Sequence, residues 1–255
     1  MDLSWEELDW ERLGHGVGRR RLPGWDATAA LVAGAGRALL FDTGACLREG
    51  VELRTQAQRL LGHRVTHVAL SHPHFDHVLG AAAFAGAEVF GARGAGRVLR
   101  RDADALYADA VRHGLPEHDA AEAVDTLVVP RREVSGACTL DLGGGREVVL
   151  VDAGPAHTGQ DLVALVPGEV PVVLCGDLVE ESGEPQAGPD AFPSHWPAAL
   201  DRLLALGGER ARYVPGHGAV VDAAFVRAQR DRLAERARRR GADPGAARGG
   251  VPGVS

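Results

Sequence analysis

The stretch Ser71-His72-Pro73-His74-Phe75-Asp76-His77 places three imidazoles and a carboxylate within six residues. Neutral nitrogen and anionic oxygen donors this dense are costly to cluster away from water unless a cation binds them. Imidazole with carboxylate suits a divalent ion of the zinc type. The alternative is a His-rich polar surface loop. The surroundings favour the ion, because the apolar run Val65 to Leu70 delivers the chain into the cluster and Val78 to Phe84 is small and apolar enough to start a buried helix. Strand, ligand loop and helix in succession put the donors at the carboxyl end of a strand, where layered α/β proteins place their sites.

The rest of the chain supplies layers for such a protein. Thr28 to Ala33 and Arg37 to Phe41 read as strands joined by Gly34-Ala35-Gly36, the second running into Asp42-Thr43-Gly44. Leu53, Ala57, Leu60 and Leu61 give residues 48–62 a helical face. A short strand is expected at Glu88 to Phe90. Residues 93–126 have helical spacing broken near Gly114-Leu115-Pro116, which predicts two helices forming an insertion or lid. Apolar runs recur at 127–129, 137–140, 147–151, 162–166 and 172–175, separated by Gly and Pro turns. A Gly- and Pro-dense loop over 181–197 leads to a helix at 197–206, a strand at Arg212-Tyr213-Val214, and an Arg-rich amphipathic helix over 222–239. Residues 241–255 lack apolar periodicity and are expected to form a disordered tail. Strands, helices, strands, helices in that order predict an α/β fold, two stacked sheets between outer helix layers, in a single domain over residues 1–240.

Composition excludes several classes. A formal net charge of -7 argues against nucleic acid, since phosphate binding draws on a basic patch that releases counterions. Cys46, Cys138 and Cys175 are odd in number and lack a Cys-x-x-Cys pair, which points to reduced thiols rather than disulfides or a cysteine zinc site. Met1 to Glu7 is acidic without the segments of a signal peptide, and no apolar run approaches the ~18 residues of a membrane span. A cytoplasmic protein acting on a small molecule, with neither nucleic acid nor membrane as partner, is the expectation; the oligomeric state is left open.

Three further stretches each set one metal-competent side chain beside Gly or Pro at the end of an apolar strand: Gly154-Pro155-Ala156-His157-Thr158-Gly159, Cys175-Gly176-Asp177 and Pro215-Gly216-His217-Gly218. Scaffolds point isolated ligands from several strand ends into one cleft in this way. Together with Phe41-Asp42-Thr43-Gly44, and in this order and spacing, these motifs make the chain resemble the metallo-β-lactamase-fold hydrolase superfamily over about residues 25–220. The resemblance implies a four-layer αββα sandwich with two mixed sheets between outer helices. It implies two zinc ions, with iron or manganese tolerated by the same ligands. His72, His74 and His157 would hold one ion, Asp76, His77 and His217 the second, and Asp177 would bridge both; Asp76 and Asp177 are the carboxylates assigned to catalysis. Two ions so placed hold a hydroxide between them, lower the pKa of that water and polarise the scissile oxygen. Asp42 is implied as a hydrogen-bonding support that orients an imidazole. Asp161 is open between the same role and that of a strand-initiating residue.

Within the superfamily the resemblance leans away from true zinc β-lactamases, which usually lack a bridging aspartate where Asp177 stands, and towards thioesterases, lactonases and phosphodiesterases. His74 stands where flavodiiron proteins usually carry Glu, and only one helix plus a tail is expected after His217, which argues against the glutathione substrate of glyoxalase II. The expected function is therefore dinuclear zinc hydrolysis of a small-molecule ester-like bond, thioester or lactone first. The alternatives are phosphodiester, sulfate-ester or β-lactam hydrolysis, or a non-hydrolytic di-iron or cyclase-type role on the same fold. For an anionic ester, Arg19-Arg20-Arg21 would be the clamp; the other reading of that cluster is a solvated hairpin tip. His195, in a loop between two ligand segments, could border the cleft. His15, His63, His67, His113 and His118 are expected at the surface or in the core.

Overall fold

Alternating apolar residues build two sheets in the computed structural model, which describes residues 4–242, the side chains of 240–242 excepted. The first sheet runs in chain order through β1 (Glu11–Gly14), β2 (Val17–Arg21), β3 (Thr28–Ala33), β4 (Ala38–Phe41), β5 (His67–Ala69), β6 (Glu88–Ala92) and β7 (Arg132–Val134). Its pairs are antiparallel from β1 to β4 and parallel from β4 to β7. The second contains β8 (Ala137–Asp141), β9 (Glu147–Asp152), β10 (Leu162–Val166), β11 (Val172–Glu180) and β12 (Arg212–His217), in the order β12-β11-β10-β9-β8. Only β11 and β12 pair in parallel there.

Successive strand residues face opposite sides. In β4, Ala38 and Leu40 join the core shared with α1 (Leu47–Leu61), whereas Leu39 and Phe41 join the core between the sheets. In β10, Leu162, Ala164 and Val166 face the first sheet, and Val163 packs with α6 (Trp196–Gly207) and α7 (Ala223–Ala242). Burial on both faces is why these strands read as continuous apolar runs. Three cores between four layers make the expected αββα sandwich with two mixed sheets.

Several local expectations are corrected. After α2 (Phe75–Val78) and a single helical turn at Ala81–Phe84, residues 93–126 form three helices rather than two: α3 (Ala95–Arg101), α4 (Ala103–Arg112) and α5 (Glu117–Asp125). Asp102, at φ −108° and ψ 23°, interrupts the first of them. Buried Ala110, Ala120 and Ala123 seat α4 and α5 on the α1 side of the first sheet. Residues 127–129 are not a strand; Leu127 and Val128 pack on the helical core and β7 follows only at Arg132. The Arg-rich stretch is not a turn, since Arg19 to Arg21 lie in β2. Of the expected tail, residues 241 and 242 continue α7, and 243–255 lie outside the described residues.

β4, β5 and β6 run in parallel, so their carboxyl ends share one edge of the first sheet. In the second, two antiparallel steps separate β9 from β11, which gives β9, β11 and β12 a common direction. The candidate ligands lie in the last residues of these strands or in the connections that follow them.

Candidate metal centre

Asp42 follows β4, Ser71 to His77 follow β5 and enter α2, His157 lies in the loop after β9, Asp177 sits within β11, and His217 ends β12. Two glycines allow the close approach. Gly176 adopts φ 52°, and a Cβ there would lie 2.8 Å from the Ser71 Cβ. A Cβ on Gly216 would lie 1.8 Å from Asp177 Oδ1, so only glycine lets β12 pass beside that carboxylate.

All seven expected ligands converge. His72, His74, His157 and Asp177 form one group, and Asp76, His77 and His217 another, the donor atoms of each lying within 4.8 Å of one another. In the first group His74 Nδ1 is 3.1 Å from His157 Nε2, and Asp177 Oδ2 is 3.5 Å from His157 Nε2 and 3.7 Å from His72 Nε2. In the second, His217 Nε2 lies 3.3 Å from Asp76 Oδ2, and His77 Nε2 lies 3.6 Å from the same oxygen. Asp177 reaches this group too, 3.2 Å from His77 Nε2 and 3.3 Å from His217 Nε2. Donors on a tetrahedron around zinc, with bonds of roughly 2.0–2.1 Å, are about 3.3 Å apart. These spacings therefore fit donors facing a common ion. His72 Nε2 and Asp177 Oδ1 are buried without a hydrogen-bond partner among the described residues, which a cation would remedy.

The second nitrogen of each ring is held as well. His77 Nδ1 donates to Asp42 Oδ2 at 2.9 Å, His157 Nδ1 to the Gln186 carbonyl at 3.1 Å, and His217 Nδ1 to the Trp25 carbonyl at 2.7 Å. His74 Nε2 meets Asp190 Oδ2 at 3.1 Å, and His72 Nδ1 meets Ser71 Oγ at 2.8 Å. Carbonyls and carboxylates only accept, so they fix the ring proton on the far nitrogen and leave a lone pair aimed into the cluster. Asp42 sits in the left-handed region at φ 62° and also accepts the Ser71 N–H at 2.7 Å. Asp161 does not touch an imidazole. It accepts the Thr158 N–H and hydroxyl, the latter at 2.7 Å, and so braces the His157 loop through the backbone.

Burial and mutual repulsion set the charges. Burial lowers the pKa of His157 to about 4 and takes that of His72 well below its usual value. Burial also works against charge on His77 and His217, but Asp177 and Asp76 outweigh it, raising His77 well above normal and His217 to about 11. Asp177 is desolvated yet held well below the carboxylate range, His77 and His72 being its strongest opposing influences. Without a metal ion, the second group already draws protons as its cations.

The arginines have other partners. Arg19, 3% exposed, pairs with Glu11 at 2.7 Å and donates to the Gly218 carbonyl at 2.7 Å. Arg20 pairs with Glu52, and Arg21 grips Asp26 through two bonds. Asp26 in turn accepts the Gly218 N–H at 3.1 Å. Anion clamp and solvated hairpin tip both give way: Arg19 and, through Asp26, Arg21 brace the His217 loop, while Arg20 ties β2 to α1. His195 is exposed and stacks on Phe192, whose ring lies over Gly159 beside the His157 loop. His113 stacks on Phe75, which Trp25 meets edge-on, so α4 reaches the ligand helix. Sequence reasoning missed Asp190, Gln186, Trp25 and Ser71 as ring supports, and it missed Glu180. Asp190 lies in the Gly- and Pro-dense loop over 181–197, and nothing local marks it.

An αββα sandwich with paired His and Asp groups at one strand-end edge defines a class of metal-dependent hydrolase scaffolds. A family model described as the metallo-beta-lactamase superfamily matches residues 22–217, and the chain belongs to that superfamily, whose members are typically metal-dependent hydrolases. The Xenopus laevis protein called metallo-beta-lactamase domain-containing protein 1 is 31% identical over 162 residues, 62% of this chain and 57% of that protein. The chain thus matches little more than half the length of this curated relative. The crystal structure of the metallo-beta-lactamase FIM-1 from Pseudomonas aeruginosa, in its mono-zinc form, is similar at a TM-score of 0.67 and 19% identity, covering 89% of this chain and 95% of that one. At that identity the likeness is one of fold.

Proposed function

We propose that the chain is a two-metal hydrolase, zinc filling both positions, that cleaves an ester-like carbonyl bond of a small molecule, thioester or lactone foremost. The observation that carries this reading is Asp177, whose two oxygens lie 3.2–3.7 Å from nitrogens of both ligand groups. Two divalent ions held there would supply an activated water and a Lewis-acid partner for the carbonyl oxygen. The protein's part is positional. Five imidazoles present neutral donors, four of them with tautomers fixed by carbonyl or carboxylate acceptors, and Asp177 places negative charge where two cations would otherwise repel. Asp76 adds a second carboxylate on the His217 side.

His74 is the most exposed of the five rings at 27%, which puts the approach to the cleft beside Asp190 and the 181–197 loop. The helices over 95–125 flank the other side through His113 and Phe75. The bond preference rests on charge. The arginines that would have clamped a phosphate or sulfate are ion-paired elsewhere, and Asp190 beside His74 and Glu181 beside the His217 loop put acid near the cleft. A neutral carbonyl ester escapes that repulsion. No nucleic acid or membrane partner is included; no described helix is long and apolar enough to cross a membrane.

The test is a panel of thioesters, lactones, phosphodiesters and β-lactams given to zinc-loaded protein, with zinc content measured in parallel. Two zinc ions per chain and turnover of a carbonyl ester, both lost in Asp177→Asn, are expected. Turnover confined to phosphodiesters would overturn the bond assignment, and full activity with His72→Ala would overturn the two-metal mechanism.

A further inference from the structure

Glu180 ends β11, three residues after Asp177, in register with His217 across the β11–β12 pair. It is only 6% exposed, and its carboxylate joins Asp177 and His217 in a third group whose donor atoms lie within 4.8 Å of one another. Its position is fixed from several sides. The Ser182 N–H and hydroxyl donate to Oε1 at 3.1 and 2.5 Å. The Glu180 N–H donates to Gln229 Oε1 at 3.1 Å, and fully buried Gln229 donates back to the Leu178 carbonyl at 2.8 Å. None of these bonds uses Oε2. Among the described residues no arginine pairs with Glu180, so the charge of this buried carboxylate is met only from the cleft that it shares with His217 and Asp177. The unpartnered, buried Asp177 Oδ1 and His72 Nε2 mark the same cleft as short of positive charge.

We propose that Glu180 belongs to the second cation position. Of that position's ligands Glu180 groups with His217 and Asp177, while Asp76 and His77 form their own group with His217; Glu180 thus adds an oxygen donor on the Asp177 side, whereas the first position has three imidazoles and the shared Asp177. The inference rests on the two-metal reading above and goes beyond it by distinguishing the positions. Oxygen-rich sets of higher coordination suit harder ions such as Mn2+, whereas an imidazole-rich tetrahedral set suits zinc. The second position therefore accepts Mn2+ when zinc is scarce, and Glu180 supplies that affinity.

The experiment loads metal-free protein with one equivalent of Zn2+ and titrates it with Mn2+. Loss of the free-ion electron paramagnetic resonance signal is followed, with elemental analysis after gel filtration. Wild-type protein is expected to take up one Mn2+ per chain beside its zinc. Glu180→Gln is expected to bind Mn2+ about tenfold to a hundredfold more weakly with its first zinc unaffected. Glu180→Asp, which keeps the charge, should recover part of the loss. Circular dichroism checks the fold, and if Glu180→Gln does not fold, Ser182→Ala carries the test by releasing Oε1 while keeping the carboxylate, with a smaller loss expected. Unchanged Mn2+ affinity in the folded variant would remove Glu180 from the site and leave the two-metal reading standing. Wild-type protein that binds no second ion, zinc or manganese, would overturn both.

Discussion

Asp42→Asn isolates the orientation of His77 from the support of its loop. The residue lies in the left-handed region, which Asn tolerates as readily as Asp, so the backbone has no reason to move. The native carboxylate accepts the Ser71 N–H at 2.7 Å and the His77 Nδ1–H at 2.9 Å. A backbone N–H cannot change its role, so the amide oxygen must serve Ser71 and the amide NH2 must face His77. Two donors then meet unless the imidazole shifts its proton to Nε2. That shift restores the hydrogen bond but puts hydrogen on the nitrogen aimed at Asp177 Oδ1, the atom needed for a cation. Holding the productive tautomer against the amide leaves an unmade buried hydrogen bond, about 1–3 kcal/mol. At ~1.4 kcal/mol per decade this weakens second-ion binding roughly 5- to 150-fold. Fold stability changes less, because losing a charge-assisted bond is offset by no longer burying a charge, and burial already pushes the Asp42 pKa up. Zinc affinity by competition with a chelator and histidine tautomers by 15N NMR read the two effects separately. Wild-type affinity for the second ion, with Nδ1–H retained on His77, would refute the argument.

Arg19→Gln should leave KM for anionic substrates unchanged while lowering stability by about 1–3 kcal/mol, since it breaks a buried charge-assisted bond to the Gly218 carbonyl; chemical denaturation and steady-state kinetics check both halves. Metal affinity should fall as pH falls, because an entering ion must displace protons from His77 and His217. In the metal-free protein the sign for His217 is opposite. Its pKa is raised from about 6.5 unfolded to about 11, so its stabilising contribution is complete below the lower value and lost as pH rises through the upper; urea midpoints across that range test it. Asp161 is raised by burial to about 7, so the folded state binds the extra proton and stability drains as pH rises from about 4 to 7, by a few kcal/mol at most. Asp161→Asn should flatten that slope, and an unchanged slope would show that another group sets it.

The donor atoms were legible because coordination demands particular side chains: imidazole and carboxylate cannot be replaced by whatever residue stands nearby, so His72, His74, Asp76, His77, His157, Asp177 and His217 leave a pattern in the sequence. The layers were legible for a similar reason, since β4 and β10 need apolar residues on both faces. The groups that orient the rings were largely hidden. Gln186 and Trp25 contribute backbone carbonyls, which every residue has, and Asp190 acts from a loop whose path is set by tertiary packing. The arginines misled because their charge is visible and their burial is not; Arg20 finds its acid at Glu52, 32 residues away, and Arg19 closes on a carbonyl 199 residues away. That long contact changes how the amino-terminal strands are understood. The family match spans residues 22–217 and stops short of both Arg19 and Gly218. Yet Arg19 holds the Gly218 carbonyl, Asp26 its N–H, Trp25 accepts from His217, and Ala27 forms an isolated β-bridge with His217. The first strands are therefore part of what fixes the last ligand, and losing them should cost the second cation position before it costs the first.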